Sequence, residues 1–265
     1  METGEALLLE RHGATAVLRL NRPDRRNALD PEMRAGLDQA IGDVRDDPDV
    51  KAVVLTGAGG CFCAGGDVKG LAEARKQGRD IFEGRLRIRR MQRWFNALVD
   101  LEKPVIAAVD GVAFGAGLSL TLAADFVLAT RRATFCAVFG RIGYVPDLAA
   151  MYLLPRQIGL ARAKELVFSA RVVGAPEAYE LGLAHQLVEG EVEQAALGLA
   201  ARFHSAPTEA LGLAKSVMNR AFESDRESVC LQEAMAQAMC RESHFHLEAV
   251  DRFLSRQPPL YSWEA

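Results

Sequence analysis

The chain has no stretch of about eighteen uncharged apolar residues, so no membrane-spanning helix is expected. Basic residues are not in excess either: 32 lysines and arginines stand against 35 aspartates and glutamates, for a net charge of −3. That balance argues against nucleic acid as the main partner. Cysteine pairing is also missing, because the five cysteines at 61, 63, 136, 230 and 240 form neither CxxC spacing nor a repeated framework. In "CFC" at 61–63 an extended chain would point the two thiols to opposite sides. "HFH" at 244–246 lacks the i,i+3 or i,i+4 spacing by which two helical residues share a metal, so no metal is expected. The start, "METGEALLLERHG", lacks the basic segment and long apolar core of a secretory signal, and the expectation is a cytoplasmic protein.

What is present is a chain of 265 residues, long enough to bury a sizeable core without a staple. "ALLLERHGATAVLRLNRP" reads as two short strands turning at Gly13. "DPEMRAGLDQAIGDVRDD" reads as a helix, with Asp30 as cap, Pro31 at the first position and Met33, Leu37, Ile41 and Val44 on one face. The buried strand "KAVVLTG" runs into the glycine-rich "GAGGCFCAGGD", a helix follows over about 79–100, and a second buried strand, "PVIAAVDG", runs into "VAFGAGLSLTLAAD". Beyond 158 the chain reads as mostly helical. A boundary is set near 200, giving a core over 1–200 and a C-terminal helical region over 201–265. The last two helices carry apolar faces that must dock on the core or on a neighbouring subunit.

Two glycine-rich loops after buried strands point to backbone N–H groups used as a binding surface. A phosphate loop needs a GK[ST] ending, which neither loop has. The dinucleotide pattern GxGxxG fails at Leu120 and at Phe62, and a near GxSxG at 117–121 lacks its last glycine. Four segments in order, "LNRPDRRNAL" (20–29), "VVLTGAGGCFCAGGDVK" (53–69), "KPVIAAVDGVAFGAGLSLTLAADFVLAT" (103–130) and "GRIGYVPDLAAMYLLPRQIG" (140–159), resemble the enoyl-CoA hydratase/isomerase (crotonase) superfamily over about residues 7–256. The resemblance implies an α/β fold, a crotonase-like spiral of ββα units with a C-terminal helical region. It also implies a homotrimer or dimer of trimers, and an acyl-CoA thioester as substrate with coenzyme A as part of it and no other cofactor. By the same resemblance the N–H groups of Gly66 and Ala116 form an oxyanion hole. Such donors stabilise the charge developing on a thioester oxygen by about 3 to 4 kcal/mol each.

The two glutamates of the usual hydratases are absent, their places being held by Ser119 and Phe139. Neither residue has a pKa suited to handling water at neutral pH. Asp147, directly after Pro146 and ahead of an apolar helical pattern, reads locally as a helix N-cap. It also falls where single-aspartate isomerases of the family carry their acid/base group. The similar position in aryl-CoA dehalogenases works with a histidine that the region 80–100 does not supply. One carboxylate suffices for a 1,3 proton shift, and apolar neighbours such as Phe139, Tyr144, Val145 and Leu148 would raise its pKa by desolvation. The expected activity is therefore enoyl-CoA isomerisation, the alternatives being a hydratase-type lyase with an unusual site and a non-catalytic acyl-CoA-binding paralogue. For CoA the resemblance points to Arg22, Arg26 and Ala28 in the first loop and to Ala64, Asp67, Val68 and Lys69 in the second. Phe139 and Tyr144, with Phe82 and Met151, are expected on the acyl side, and Arg256 or Tyr261 at the CoA of a neighbouring subunit.

Overall fold

The computed structural model describes every residue except 1–5, 69, 71–77, 79–80 and 264–265. Its main sheet has six strands in the order β1-β2-β3-β4-β6-β9. Strands β1 (Leu7–His12) and β2 (Thr15–Leu20) form the expected hairpin, closed by Gly13 at φ 58°. The remaining neighbours, β3 (Ala52–Gly57), β4 (Val105–Val109), β6 (Phe126–Thr130) and β9 (Gln186–Val188), pair in parallel. Parallel strands covered on both faces become continuous apolar runs, which is why "AVVL" and "VIAAV" show no polar alternation.

Alternate residues of these runs feed two cores. Val53, Leu55, Val105, Ala107, Val109, Val127 and Ala129 face a larger cluster, shared with helices α1 (Pro31–Asp46) and α2 (Ile81–Val99). Val54, Ile106, Ala108 and Leu128 face a smaller one, closed by Val192, Ala196 and Ala200 of a later helix, Val192–Ala201, and by Phe203. Two histidines fasten this frame: His204 Nε2 lies 2.7 Å from Thr15 Oγ1, and Val127 N donates to His185 Nδ1 at 2.9 Å.

A second sheet of three short strands, β5 (Val112–Phe114), β7 (Thr134–Cys136) and β8 (Val173–Gly174), stands beside the first. The chain leaves β4, turns at Gly111, forms β5 and enters helix α3 (Ala116–Leu122). It likewise leaves β6, forms β7, passes through a 3-10 turn (Val138–Ile142) and reaches α4 (Ala150–Ile158). After β3 the same role falls to Cys63, which bridges to Ala113 of β5. Each turn of this spiral of ββα units therefore ends a short second strand where a helix or loop begins, and the turns lie side by side.

Helices α5 (Leu160–Ser169), α6 (Ala175–Leu181) and α7 (Val192–Ala201) complete the body, and α8 (Thr208–Met218), α9 (Arg226–Arg241) and α10 (His244–Leu254) follow. Neither α9 nor α10 contains a buried residue. Leu231, Met235 and Met239 form an exposed stripe at i,i+4 spacing, continued by Leu247, Phe253 and Leu254. The tail then returns to its own body: Tyr261 packs on the smaller core, and Trp263 lies 6.3 Å from the ring of Phe126 and 5.5 Å from that of Phe203.

Candidate active site

The two glycine-rich loops meet because backbone pairing zips them together. Cys63 N donates to Val112 O at 2.9 Å and Phe114 N to Cys63 O at 3.0 Å. On its other side the first loop is held by Leu29 N donating to Gly65 O at 2.8 Å and Ala64 N donating to Arg26 O at 2.9 Å. Contact this close requires glycine. A Cβ on Gly117 would lie 2.2 Å from Cys63 O, and one on Gly65, at φ 103°, would lie 2.7 Å from Phe114 O.

The amides of Gly66 and Ala116 emerge at this junction, and among the described residues neither donates to a protein acceptor. Ala116 opens α3, where the first amides have no intrahelical partner. The Cβ position of Gly65 lies 3.4 Å from Ala116 N, which places the first loop directly against that amide. Two unpaired donors on rigid, mutually braced loops are what an oxyanion hole needs. Asn27 sets the first loop from beneath: fully buried, it donates to Ala58 O at 2.9 Å and Cys61 O at 2.6 Å and accepts from Arg22 N at 2.8 Å.

Asp147 is not a helix cap. Leu148 and Ala149 both adopt left-handed backbone, at φ 47° and 53°, and α4 begins only at Ala150 with no side-chain cap. Two left-handed residues between Asp147 and the helix carry its carboxylate away from the amides it would have capped. Each such residue costs about 1 to 2 kcal/mol, and the burial of Leu148 at 0 % exposure holds the turn in place. Asp147 Oδ1 is buried with no hydrogen-bond partner. Burial pushes its pKa up, while its own backbone amide and the charge of the Arg87 guanidinium act in the opposite direction.

Ser119, which the resemblance put in the place of a hydratase glutamate, is fully buried, and its hydroxyl lies 3.1 Å from the Asp147 carbonyl oxygen. The helix that presents Ala116 thus also fixes Asp147. Phe139, 7 % exposed, places Cζ 3.9 Å from the Cβ position of Gly115, against the second loop. Tyr144 and Val145, expected to desolvate Asp147, are 52 % and 69 % exposed, so Leu148 and Phe139 are the members of that group that are buried.

The residues proposed for CoA divide. Arg22 is half-buried and occupied, paired with Asp30 and Glu32. Arg26 is exposed and, among the described residues, free of ion pairs, while its carbonyl holds the first loop. Ala28 and Ala64 are half-buried on facing segments, Asp67 Oδ1 accepts from Gly70 N at 3.1 Å, Val68 is exposed, and Lys69 lies outside the described residues. Two open concavities of about 420 Å³ each lie elsewhere, one beside Tyr152 and Arg156, the other beside Asp43 and Asp47; neither is lined by Gly66, Ala116 or Asp147.

The family model described as enoyl-CoA hydratase/isomerase matches residues 10–264. The chain belongs to the enoyl-CoA hydratase/isomerase family. Members of this family act on acyl-CoA thioesters. The chain is 35% identical over 255 residues to the 1,2-epoxyphenylacetyl-CoA isomerase of Escherichia coli K12, covering 92% of this chain and 94% of that protein. It is 32% identical over 253 residues to the short-chain-enoyl-CoA hydratase of Clostridium acetobutylicum, covering 95% of each. The crystal structure of an enoyl-CoA hydratase/isomerase from Cupriavidus metallidurans CH34 superposes with a TM-score of 0.92 at 40% identity, covering 98% of this chain and 97% of that one. Relatives in this family carry both isomerase and hydratase names, so the reaction has to be argued from the site.

Proposed function

We propose that this member of the family is an enoyl-CoA isomerase in which Asp147 is the single acid/base. The observation that carries the reading is the buried, unpartnered Oδ1 of Asp147, on a residue whose backbone is hydrogen-bonded to the helix that presents Ala116 N. The thioester oxygen of a 3-enoyl-CoA accepts from Gly66 N and Ala116 N. The Asp147 carboxylate removes a proton from the α carbon, and the C–H electron pair moves into the conjugated dienolate, placing negative charge on that oxygen. The protonated carboxyl then returns the proton to the γ carbon, giving the 2-enoyl-CoA with no net change in composition. Both transfers need one group with a pKa brought towards neutrality, which is the direction that burial drives Asp147.

Hydration needs a second group to orient water, and Ser119 has its hydroxyl engaged with backbone carbonyls while Phe139 is apolar. CoA enters as part of the substrate, with exposed Arg26 as the phosphate contact of the first loop. The apolar stripes of α9 and α10 support a homotrimer or dimer of trimers, which light scattering tests by mass. The reaction is tested by incubating the protein separately with a 3-enoyl-CoA and a 2-enoyl-CoA. Interconversion of the two without formation of 3-hydroxyacyl-CoA is expected, and accumulation of the hydroxyacyl product at the greater rate refutes the reading in favour of a hydratase.

A further inference from the structure

Each donor of the oxyanion hole follows a glycine in left-handed backbone, Gly66 after Gly65 at φ 103° and Ala116 after Gly115 at φ 53°. Glycine permits these turns but does not hold them, because it has no side chain to pack. In a trans peptide the N–H points away from the carbonyl of the preceding residue, so the aim of each donor is set by how its glycine is held. Both glycines are pinned at each end. Gly115 N donates to Cys136 O at 2.9 Å, and Gly115 O accepts from Ser119 N at 3.0 Å. Gly65 O accepts from Leu29 N at 2.8 Å, and Gly65 N donates to Sγ of Cys63 at 3.4 Å, a length that suits the larger sulfur atom. The last of these restraints is the one made by a side chain alone.

Cys63 is built into the junction. It is fully buried, its N–H donates to Val112 O and its carbonyl accepts from Phe114 N, so strand pairing fixes the backbone from which the sulfur reaches Gly65. Burial pushes the pKa of the thiol up to about 12, so the sulfur accepts as a neutral group and adds no buried charge. We infer that Cys63 is a positioning residue for the thioester: its sulfur sets the aim of the Gly66 N–H by holding the amide of Gly65. The inference rests on the reading of Gly66 N and Ala116 N as donors to the thioester oxygen, and not on the identity of the acid/base. Gly65 is buried whereas Gly66 is exposed to the site. Without the sulfur the Gly65 N–H is left unpaired, and the glycine turns to satisfy it. The Gly65–Gly66 peptide then tilts, and the donor leaves the thioester oxygen.

The test is infrared difference spectroscopy of the full-length protein with butanoyl-CoA isotopically labelled at the thioester carbonyl, a saturated ligand with no double bond to move or hydrate. In the wild type the carbonyl band of the bound ligand should lie below its position in water. In Cys63→Ala it should return part of the way with Kd unchanged, and in Cys63→Ser, which keeps an acceptor on the same Cβ, it should stay near the wild-type position. The kcat on enoyl-CoA, for whichever reaction is catalysed, should fall about 3- to 10-fold in Cys63→Ala at unchanged KM, the range of one weak hydrogen bond, and be largely restored in Cys63→Ser. A folded Cys63→Ala protein with the band and kcat of the wild type overturns the inference. Equal loss of binding in both variants also overturns it, assigning Cys63 to packing. A wild-type band no lower than in water overturns it by removing the donors themselves, a result that turnover without isomerisation would not produce.

Discussion

Replacing Gly117 by alanine tests whether the register of the two loops is what makes the donors work. The added Cβ would lie 2.2 Å from Cys63 O and 3.0 Å from Cys63 C, both backbone atoms, whereas ordinary contact begins near 3.4 Å. Backbone cannot rotate out of the way as a side chain can, so the first loop must retreat from α3 by ~1 Å, and a misplacement of that size costs about 100-fold in rate. Loss of one donor outright costs about 100- to 1000-fold, or roughly 3 to 4 kcal/mol. The predicted kcat for 3-enoyl-CoA isomerisation, followed by the absorbance of the conjugated product, is therefore lower by a factor of about 100 to 1000. Overpacking should cost about 1 to 3 kcal/mol of stability, which leaves a folded protein to assay. Gly198→Ala on α7, whose Cβ would meet nothing within 4 Å, is the control for the substitution itself. A folded Gly117→Ala protein with kcat within about threefold of wild type would refute this reasoning, since the threefold margin is far inside the range a displaced donor should show.

Ser119→Ala removes the hydroxyl held to the Asp147 carbonyl, and should cost about 1 kcal/mol of stability and lower kcat more than it raises KM; stopped-flow turnover and chemical denaturation read the two effects. Ala149→Gly relieves a left-handed alanine and should raise stability by about 0.5 to 1 kcal/mol after the entropic cost of glycine, measured by thermal unfolding. Asp147→Asn should raise Tm at pH 7 to 8. Burial lifts the folded-state pKa of Asp147 above its unfolded value, so ionisation above that unfolded value opposes folding. The gain should shrink as the pH falls to about 4, where the unfolded carboxyl also takes up its proton. A gain that grows on acidification would contradict the direction of the shift.

Much of this architecture was legible along the chain because runs such as "AVVL" and "VIAAV" are buried on both faces and glycine marks where each ends. The three-residue strands β5 and β7 were not: "VAF" and "TFC" are too short to carry a period, and β5 is recognisable only by its pairing with Cys63 and β7. At the site, the glycines pointed to backbone amides as a binding surface, since only glycine permits the approach of Gly117 to Cys63, while the choice of the Gly66 and Ala116 amides came from the family resemblance. The local reading of Asp147 as a cap fails because Leu148 and Ala149 adopt left-handed backbone with no glycine or asparagine to signal it. Ser119 stood out as a missing glutamate, yet its bond to Asp147 spans 28 residues. Asn27 within "RRNAL" is distinguished from its neighbours by burial, a property of the assembled fold.

In the proposed reaction Asp147 carries the proton. Wild type and Asp147→Asn, incubated with 3-enoyl-CoA and 2-enoyl-CoA in deuterated water and followed by mass spectrometry, test it most directly. The wild type should place deuterium at the α and γ carbons, because the protonated Asp147 carboxyl exchanges with solvent while the dienolate is bound, and exchange should be slower by about 100- to 10,000-fold in Asp147→Asn with acyl-CoA binding retained. Exchange in Asp147→Asn at a rate close to that of the wild type would contradict it.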